Sequence, residues 1–214
     1  MKKIKLLIFD LDGTLIDSKR DIAAGVNFTR RRLGMPVLTN STIYKFIGDG
    51  SWQLIERSLG GNKKRDINEA LRIFKGYYSE HLTVTTKLYP YVEKVLRYYS
   101  DKRKAVVTNK YESYSRNILG KLKILKYFDL ILGSDSVEKC KPDPLPLRMV
   151  MDKFKILPSK TVMIGDGVND ILAAKNAGVV SCAVTYGLES SVRLRLYKPD
   201  YSVEKLSDIK RIFK

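Results

Sequence analysis

Short, almost wholly apolar runs alternate along this chain with stretches whose apolar residues fall three and four apart. The runs cover residues 4–9, 105–107, 130–132, 162–164 and 179–184. Each is apolar at nearly every position, as strands buried on both faces of a parallel sheet must be. Helical spacing fills 91–100, 112–122, 145–154 and 169–177, the last stopped by Gly178. This alternation predicts an α/β fold, a doubly wound, Rossmann-like parallel sheet.

The stretch from Leu15 to Leu82 breaks the pattern, with no convincing strand in it. Instead Ile22, Val26 and Leu33, then residues 43–47, then Trp52, Ile55 and Leu59, then Ile67, Leu71, Phe74 and Tyr78 repeat at helical steps. Gly48, Gly50, Gly60 and Gly61 punctuate them. The predicted organisation is a core of residues 1–14 and 84–214 with a small α-helical subdomain, 15–83, inserted after the first strand.

Composition narrows the classes. A chain of 214 residues that is 44% hydrophobic can bury one core and a smaller subdomain. No apolar run reaches the roughly 18–20 residues that cross a bilayer. The basic-then-apolar start Met1-Lys2-Lys3-Ile4 is interrupted by Asp10 and Asp12, against a signal peptide. A cytoplasmic protein with no membrane partner is expected. Cys140 and Cys182 give neither a disulfide framework nor metal-ligand spacing. The single histidine, His81, is expected on the surface, so acid–base chemistry falls to carboxylates or lysines.

The net charge of +17 admits anionic partners. The basic residues form separate clusters, Arg30-Arg31-Arg32, Lys63-Lys64-Arg65, Lys102-Arg103-Lys104 and residues 193–198. None is a run of five or six like charges. They read as solvated faces that steer an anionic small molecule, and no nucleic-acid partner is expected.

Four segments carry candidate chemistry. Asp10 and Asp12 follow the first apolar run, and residues two apart on an extended backbone point to one side. Two carboxylates thus project together where open α/β sheets bind ligands. One can attack phosphorus, and the other can give and take a proton. Gly13 permits the tight turn and Thr14 adds a hydroxyl. Gly165-Asp166-Gly167-Val168-Asn169-Asp170 follows another strand and opens a helix. Its carboxylates suit Mg²⁺, and its glycines let backbone approach a ligand closely. Thr108 and Asn109, at a third strand end, offer donors to phosphate oxygens. Lys141, in Lys141-Pro142-Asp143-Pro144, offers a cation that can pair with phosphate and with Asp10. Singly, each segment also fits a plain turn, strand end or capped helix. Together, at one edge of a parallel sheet, they supply what phosphoryl transfer requires.

The segment from Phe9-Asp10-Leu11-Asp12-Gly13-Thr14 to Ser18, with Thr108, Lys141, and Asp166 and Asp170, resembles the four motifs of the haloacid dehalogenase superfamily. Residues 47–50 (Ile-Gly-Asp-Gly), Tyr186-Gly187 and the tail from Asp200 to Ile209 resemble its phosphoglycolate phosphatase-like branch. Where that branch often has Tyr-Pro-Gly-Val, this chain has Tyr89-Pro90-Tyr91-Val92. The resemblance implies Asp10 as nucleophile and Asp12 as general acid and base. It implies Mg²⁺ on the Asp10 carboxylate, the Asp12 carbonyl and Asp166, with Asp170 in support. Thr108, Asn109 and Lys141 hold the phosphate, and the helical insert is a cap that closes over the substrate. The implied reaction is hydrolysis of a small phosphorylated metabolite through an aspartyl-phosphate, with 2-phosphoglycolate, giving glycolate and phosphate, the first choice. Pyrophosphatase, nucleotidase, sugar-phosphatase and phosphomutase activities stay open within the superfamily. A non-catalytic basic nucleic-acid-binding protein is the rival from another class.

Overall fold

A computed structural model describes residues 2–60 and 67–214. Gly61 and the Lys63-Lys64-Arg65 cluster lie outside the described residues. In chain order the elements are β1 (Leu6–Phe9), β2 (Ile16–Asp17), α1 (Lys19–Arg32), α2 (Asn40–Tyr44), α3 (Ser51–Ser58), α4 (Ile67–Glu80) and β3 (Lys87–Leu88). Next come α5 (Val92–Tyr98), β4 (Arg103–Val107), α6 (Glu112–Lys121), β5 (Leu130–Leu132), α7 (Leu145–Phe154) and β6 (Thr161–Gly165). The chain closes with α8 (Val168–Ala177), β7 (Val180–Val184), α9 (Ser191–Leu196), β8 (Tyr201–Val203) and α10 (Ile209–Ile212).

Six strands form one parallel sheet in the order β5-β4-β1-β6-β7-β8. All four residues of β1 are buried, as are all five of β6 and of β7. That is why their sequences lack apolar–polar alternation. Helices cover both faces: Leu7, Phe9, Val106 and Ile164 belong to one apolar cluster, and Leu6, Ile8, Val107 and Met163 to the other. β1 lies between β4 and β6, and its neighbours follow it far along the chain. The order of strands therefore reverses at β1, where a doubly wound sheet opens its crevice.

The segment after β1 is helical, with one correction. Ile16 and Asp17 pair antiparallel with Leu88 and Lys87 in a two-stranded ribbon. Two residues are too few for a legible strand pattern. β8 also went unread, because it is a three-residue edge strand whose middle residue is exposed. The ribbon joins the two ends of the helical segment. A second tie lies beside it: the Asp21 carboxylate, on α1, accepts the backbone N–H groups and hydroxyls of Thr85 and Thr86 at 2.6–3.0 Å. These bonds hold the Asp21 carboxyl below its ordinary value, against the opposing effect of burial. Within the segment α1 packs on α2, α3 and α4, and Phe74 and Tyr78 of α4 fill its centre.

Two of the basic clusters are not wholly solvated. Arg30 is buried, where its Nε donates to the Pro36 carbonyl at 2.7 Å and its Nη1 to that of Ser58. Lys104 is buried too, its Nζ donating to the carbonyls of Tyr99 and Lys102 at 2.6 and 2.8 Å. Here cations satisfy chain carbonyls that a polar surface would have left to water. His81 is half-buried and stacks on Tyr77 with ring centroids 4.0 Å apart. Tyr91 adopts φ +69°, in the left-handed region, so this tyrosine fills a position whose backbone favours glycine. Cys140 and Cys182 are free thiols. No helix among the described residues is long and apolar enough to cross a membrane.

Candidate active site

The ends of β1, β4 and β6 lie side by side, and the polar residues that follow them meet in one cleft. Asp10 leaves β1 with its N–H on the Ile164 carbonyl of β6. Thr108 leaves β4 with its N–H on the Leu132 carbonyl of β5. Asp166 and the first turn of α8 follow β6. Asp10, Asp166 and Asp170 each bring a carboxylate oxygen within 4.8 Å of the others. Lys141 reaches in from its loop, with Nζ 2.9 Å from Asp10 Oδ1 and 2.6 Å from Asp170 Oδ1.

Glycines make room for this packing. Gly13 has φ +87°, and a Cβ there would strike the Asp166 carboxylate. A side chain at Gly187 would also strike Asp166, and one at Gly165 would strike Asp170. Gly165 thus admits a neighbouring carboxylate, where the sequence pointed to a ligand. Asp166 accepts the Thr14 hydroxyl and the Leu188 N–H, both at 2.8 Å. Asp170, on the first turn of α8, accepts the Gly167 N–H at 2.9 Å.

Three carboxylates around one lysine leave an excess of negative charge. Burial pushes the Asp10 carboxyl up to about 6, with the Lys141 ammonium opposing and Asp170 adding to the rise. Burial, then Asp10 and Asp170, raise Asp166 well above its ordinary value. Burial works against the Lys141 charge, but the facing carboxylates more than reverse it and its value is raised. An all-oxygen donor set with surplus negative charge fits a hard divalent cation such as Mg²⁺. The Asp12 carbonyl also accepts no backbone N–H among the described residues.

Asp12 sits apart from that cluster. Its Oδ2 lies 2.9 Å from Lys110 Nζ, and its Oδ1 accepts the Ser18 hydroxyl. Lys110 also donates to the Tyr78 hydroxyl at 3.0 Å, which links the sheet to α4. Thr108, Asp10 and Asp12 line one half-open cavity of about 60 Å³ beneath the helical segment. Asn109 lines it too, but its amide Nδ2 donates to the carbonyls of Gly48 and Lys141 at 3.1 and 3.0 Å. Its backbone N–H takes no acceptor among the described residues. The loop at Gly48 and Asp49 is also held by Asn169, whose Nδ2 is 2.6 Å from Asp49 Oδ1.

All seven residues singled out in the sequence, Asp10, Asp12, Thr108, Asn109, Lys141, Asp166 and Asp170, border this cleft. Sequence reasoning missed the work of Lys110, Ser18, Leu188 and Gly187. Lys110 adjoins Thr108 and Asn109 in the same strand-end segment, which is the one signal that could have found it. Ser18 reaches Asp12 from six residues away, after the chain has turned back through β2, and Leu188 and Gly187 reach Asp166 from a distant loop.

The sequence profile of haloacid dehalogenase-like hydrolases matches residues 7–184. A phosphoglycolate phosphatase of Vibrio parahaemolyticus is 35% identical, over 96% of this chain and 94% of its own length. One from Neisseria meningitidis is 36% identical, over 98% and 93%. The crystal structure of a predicted phosphoglycolate phosphatase from Haemophilus somnus superposes with a TM-score of 0.93, at 31% identity and 99% coverage of both chains.

Proposed function

The chain belongs to the haloacid dehalogenase-like hydrolase family, and from that premise we propose that it is a Mg²⁺-dependent, cytoplasmic phosphatase of small phosphate monoesters, 2-phosphoglycolate first among them. One observation carries the reading: three carboxylates lie within 4.8 Å of one another, and one buried lysine joins two of them, Asp170 and Asp10, the latter at the end of the central strand. The names of the relatives support the choice of substrate.

Asp10 is the nucleophile. Its oxygen attacks phosphorus as the bond from phosphorus to the ester oxygen breaks, giving an aspartyl-phosphate. Asp12 gives a proton to the departing oxygen and then takes one from the water that attacks phosphorus. That second step releases phosphate and returns Asp10 as a carboxylate. Lys141, the Thr108 hydroxyl and the backbone N–H of Asn109 seat the phosphate oxygens; the Asn109 side chain is spent on the loop at Gly48. The Asp10 and Asp166 carboxylates and the Asp12 carbonyl would hold Mg²⁺, with Asp170 in support. When bound, the ion neutralises charge between the anionic nucleophile and an anionic phosphate. Residues 15–83 act as the cap and the remainder as the core. The contacts from Gly48 and Asp49 to Asn109 and Asn169 hold the cap loop over the cleft.

The test is phosphate release with Mg²⁺ from 2-phosphoglycolate, pyrophosphate, a nucleoside monophosphate and a hexose phosphate. The highest kcat/KM is expected for 2-phosphoglycolate. A higher value for another ester would reassign the substrate, and an isomeric sugar phosphate formed without free phosphate would indicate a mutase.

A further inference from the structure

The roles above leave one charged side chain of the cavity unused. Lys110 is the one cation among the residues lining this half-open cavity. Its side chain is 8% exposed. Burial opposes its charge, but Asp12 and the Tyr78 hydroxyl more than compensate, so its value is raised and it is an ammonium. An ammonium has three N–H donors. One faces Asp12 Oδ2 at 2.9 Å and one the Tyr78 hydroxyl at 3.0 Å. Nζ also lies 4.8 Å from the Tyr78 ring centroid, and the third N–H has no oxygen or nitrogen acceptor among the described residues.

Apart from Thr108 and Asn109, which seat the phosphate, and the Ser51–Tyr111 hydroxyl pair, the rest of the lining offers no second cation to a polar guest. The Tyr111 hydroxyl is engaged by Ser51 at 3.4 Å, and that of Tyr114 donates to the Lys75 carbonyl at 3.4 Å. Ile22, Leu54 and Phe74 present carbon. The volume is about 60 Å³, on a scale where one water needs about 10–15 Å³. That is room for a leaving group of a few heavy atoms at the Lys110 end of the cleft. A small alcohol seated against Asp12 therefore meets one cation, adjacent to the oxygen that Asp12 protonates.

We propose that Lys110 sets specificity: its third N–H receives a carboxylate, or a comparable oxyanion, on the carbon next to the ester oxygen of a small phosphate monoester. This rests on the phosphatase reading and narrows its substrates to esters of small 2-hydroxy acids. An oxyanion in an apolar cavity is costly without a partner, and a charge-assisted hydrogen bond reverses that cost. Neutral alcohols are tolerated, because Lys110 is already paired with Asp12.

The experiment compares 2-phosphoglycolate with 2-hydroxyethyl phosphate, in which a hydroxymethyl group replaces the carboxylate, using the Mg²⁺-loaded enzyme. The unmodified protein is expected to favour phosphoglycolate by about 10- to 100-fold in kcat/KM, mostly through KM. Lys110→Met should lose activity on both esters, since Lys110 also touches Asp12, but about tenfold more on phosphoglycolate. Lys110→Arg should keep part of the preference. Equal losses on the two esters would show that Lys110 acts only through Asp12 and would overturn the proposal. Should Lys110→Met not fold, inhibition of the unmodified enzyme decides. Glycolate is expected to compete where ethylene glycol at equal concentration does not, and equal effects overturn the proposal. An unmodified enzyme that cleaves both esters without preference overturns it too, with the phosphatase reading intact. Phosphate release from no ester at all sinks both.

Discussion

Asp10 and Asp12 stand two residues apart at one strand end, yet their surroundings are opposites. Asp10 shares a buried cluster with Asp166 and Asp170, and one lysine pairs with two of the three carboxylates. Asp12 faces Lys110 alone, with the Ser18 hydroxyl on its other oxygen. The first cluster is built from residues at the edge of the sheet and the loops beside it, and its three carboxylates outnumber its one cation. The second spans the sheet and α4, through Tyr78, and is charge-balanced. One backbone register thus delivers two carboxylates to two tasks, because the environment decides what each can do. In the proposed mechanism the unbalanced side takes a cation and a phosphate, and the balanced side faces the leaving group.

The strongest way to break this contrast is to remove the proposed nucleophile. Asp10→Asn keeps the shape of the side chain and should lower kcat by at least ~10⁴-fold. Full activity in a phosphate-release assay would end the proposed mechanism.

Asp12→Asn should cost ~10²- to 10³-fold on an alkyl phosphate such as phosphoglycolate. On p-nitrophenyl phosphate, whose leaving group needs little protonation, the loss should be smaller. Equal losses would mean that Asp12 is not the acid and that the two carboxylates do not divide the work as drawn.

The dependence of the Asp12 side on the helical segment can be tested at its root. Asp21→Ala leaves the Thr85 and Thr86 donors without their acceptor and should destabilise the protein by ~2–4 kcal/mol in urea unfolding. The stabilisation by Mg²⁺ should survive in this variant, because Asp10, Asp166 and Asp170 stand at the sheet. Its loss would show that the two sides are not separable.

The smallest effect is the pH dependence of that stabilisation. Asp10 is raised on folding from 3.8 to about 6 in the metal-free protein. Its contribution to stability is therefore full below the unfolded value and is lost as pH rises through about 6. The metal requires the ionised form. Added Mg²⁺ should thus raise Tm by ~2–4 °C more near pH 7.5 than near pH 5.5, read by calorimetry. A larger increment at the lower pH would contradict a metal on Asp10.

The charged residues mark how far the sequence could be read. Scattered clusters of lysine and arginine look like solvent-facing charge, yet Arg30, Lys104, Lys110 and Lys141 are spent inside the fold on carbonyls and carboxylates. Lys141 was legible because it stands in a motif with Pro142 and Asp143. Arg30 was not, since its acceptors at Pro36 and Ser58 come from a chain path that periodicity does not specify. The ribbon of Ile16 and Asp17 with Lys87 and Leu88 was hidden because pairing across some seventy residues leaves no local period.

The sequence by itself determined the strand-then-acid units. Runs buried on both faces must be apolar throughout, and a pair of residues two apart must share a side, so Asp10 with Asp12, Thr108 and Asp166 could be placed at strand ends. Only the tertiary structure decided which charges face each other. The order β5-β4-β1-β6-β7-β8 sets β1 between β4 and β6. From that order come Lys141 beside Asp10, Thr14 and Leu188 on Asp166, and Lys110 on Asp12. These contacts join residues up to 152 apart in sequence, and local propensity has no reach over such distances.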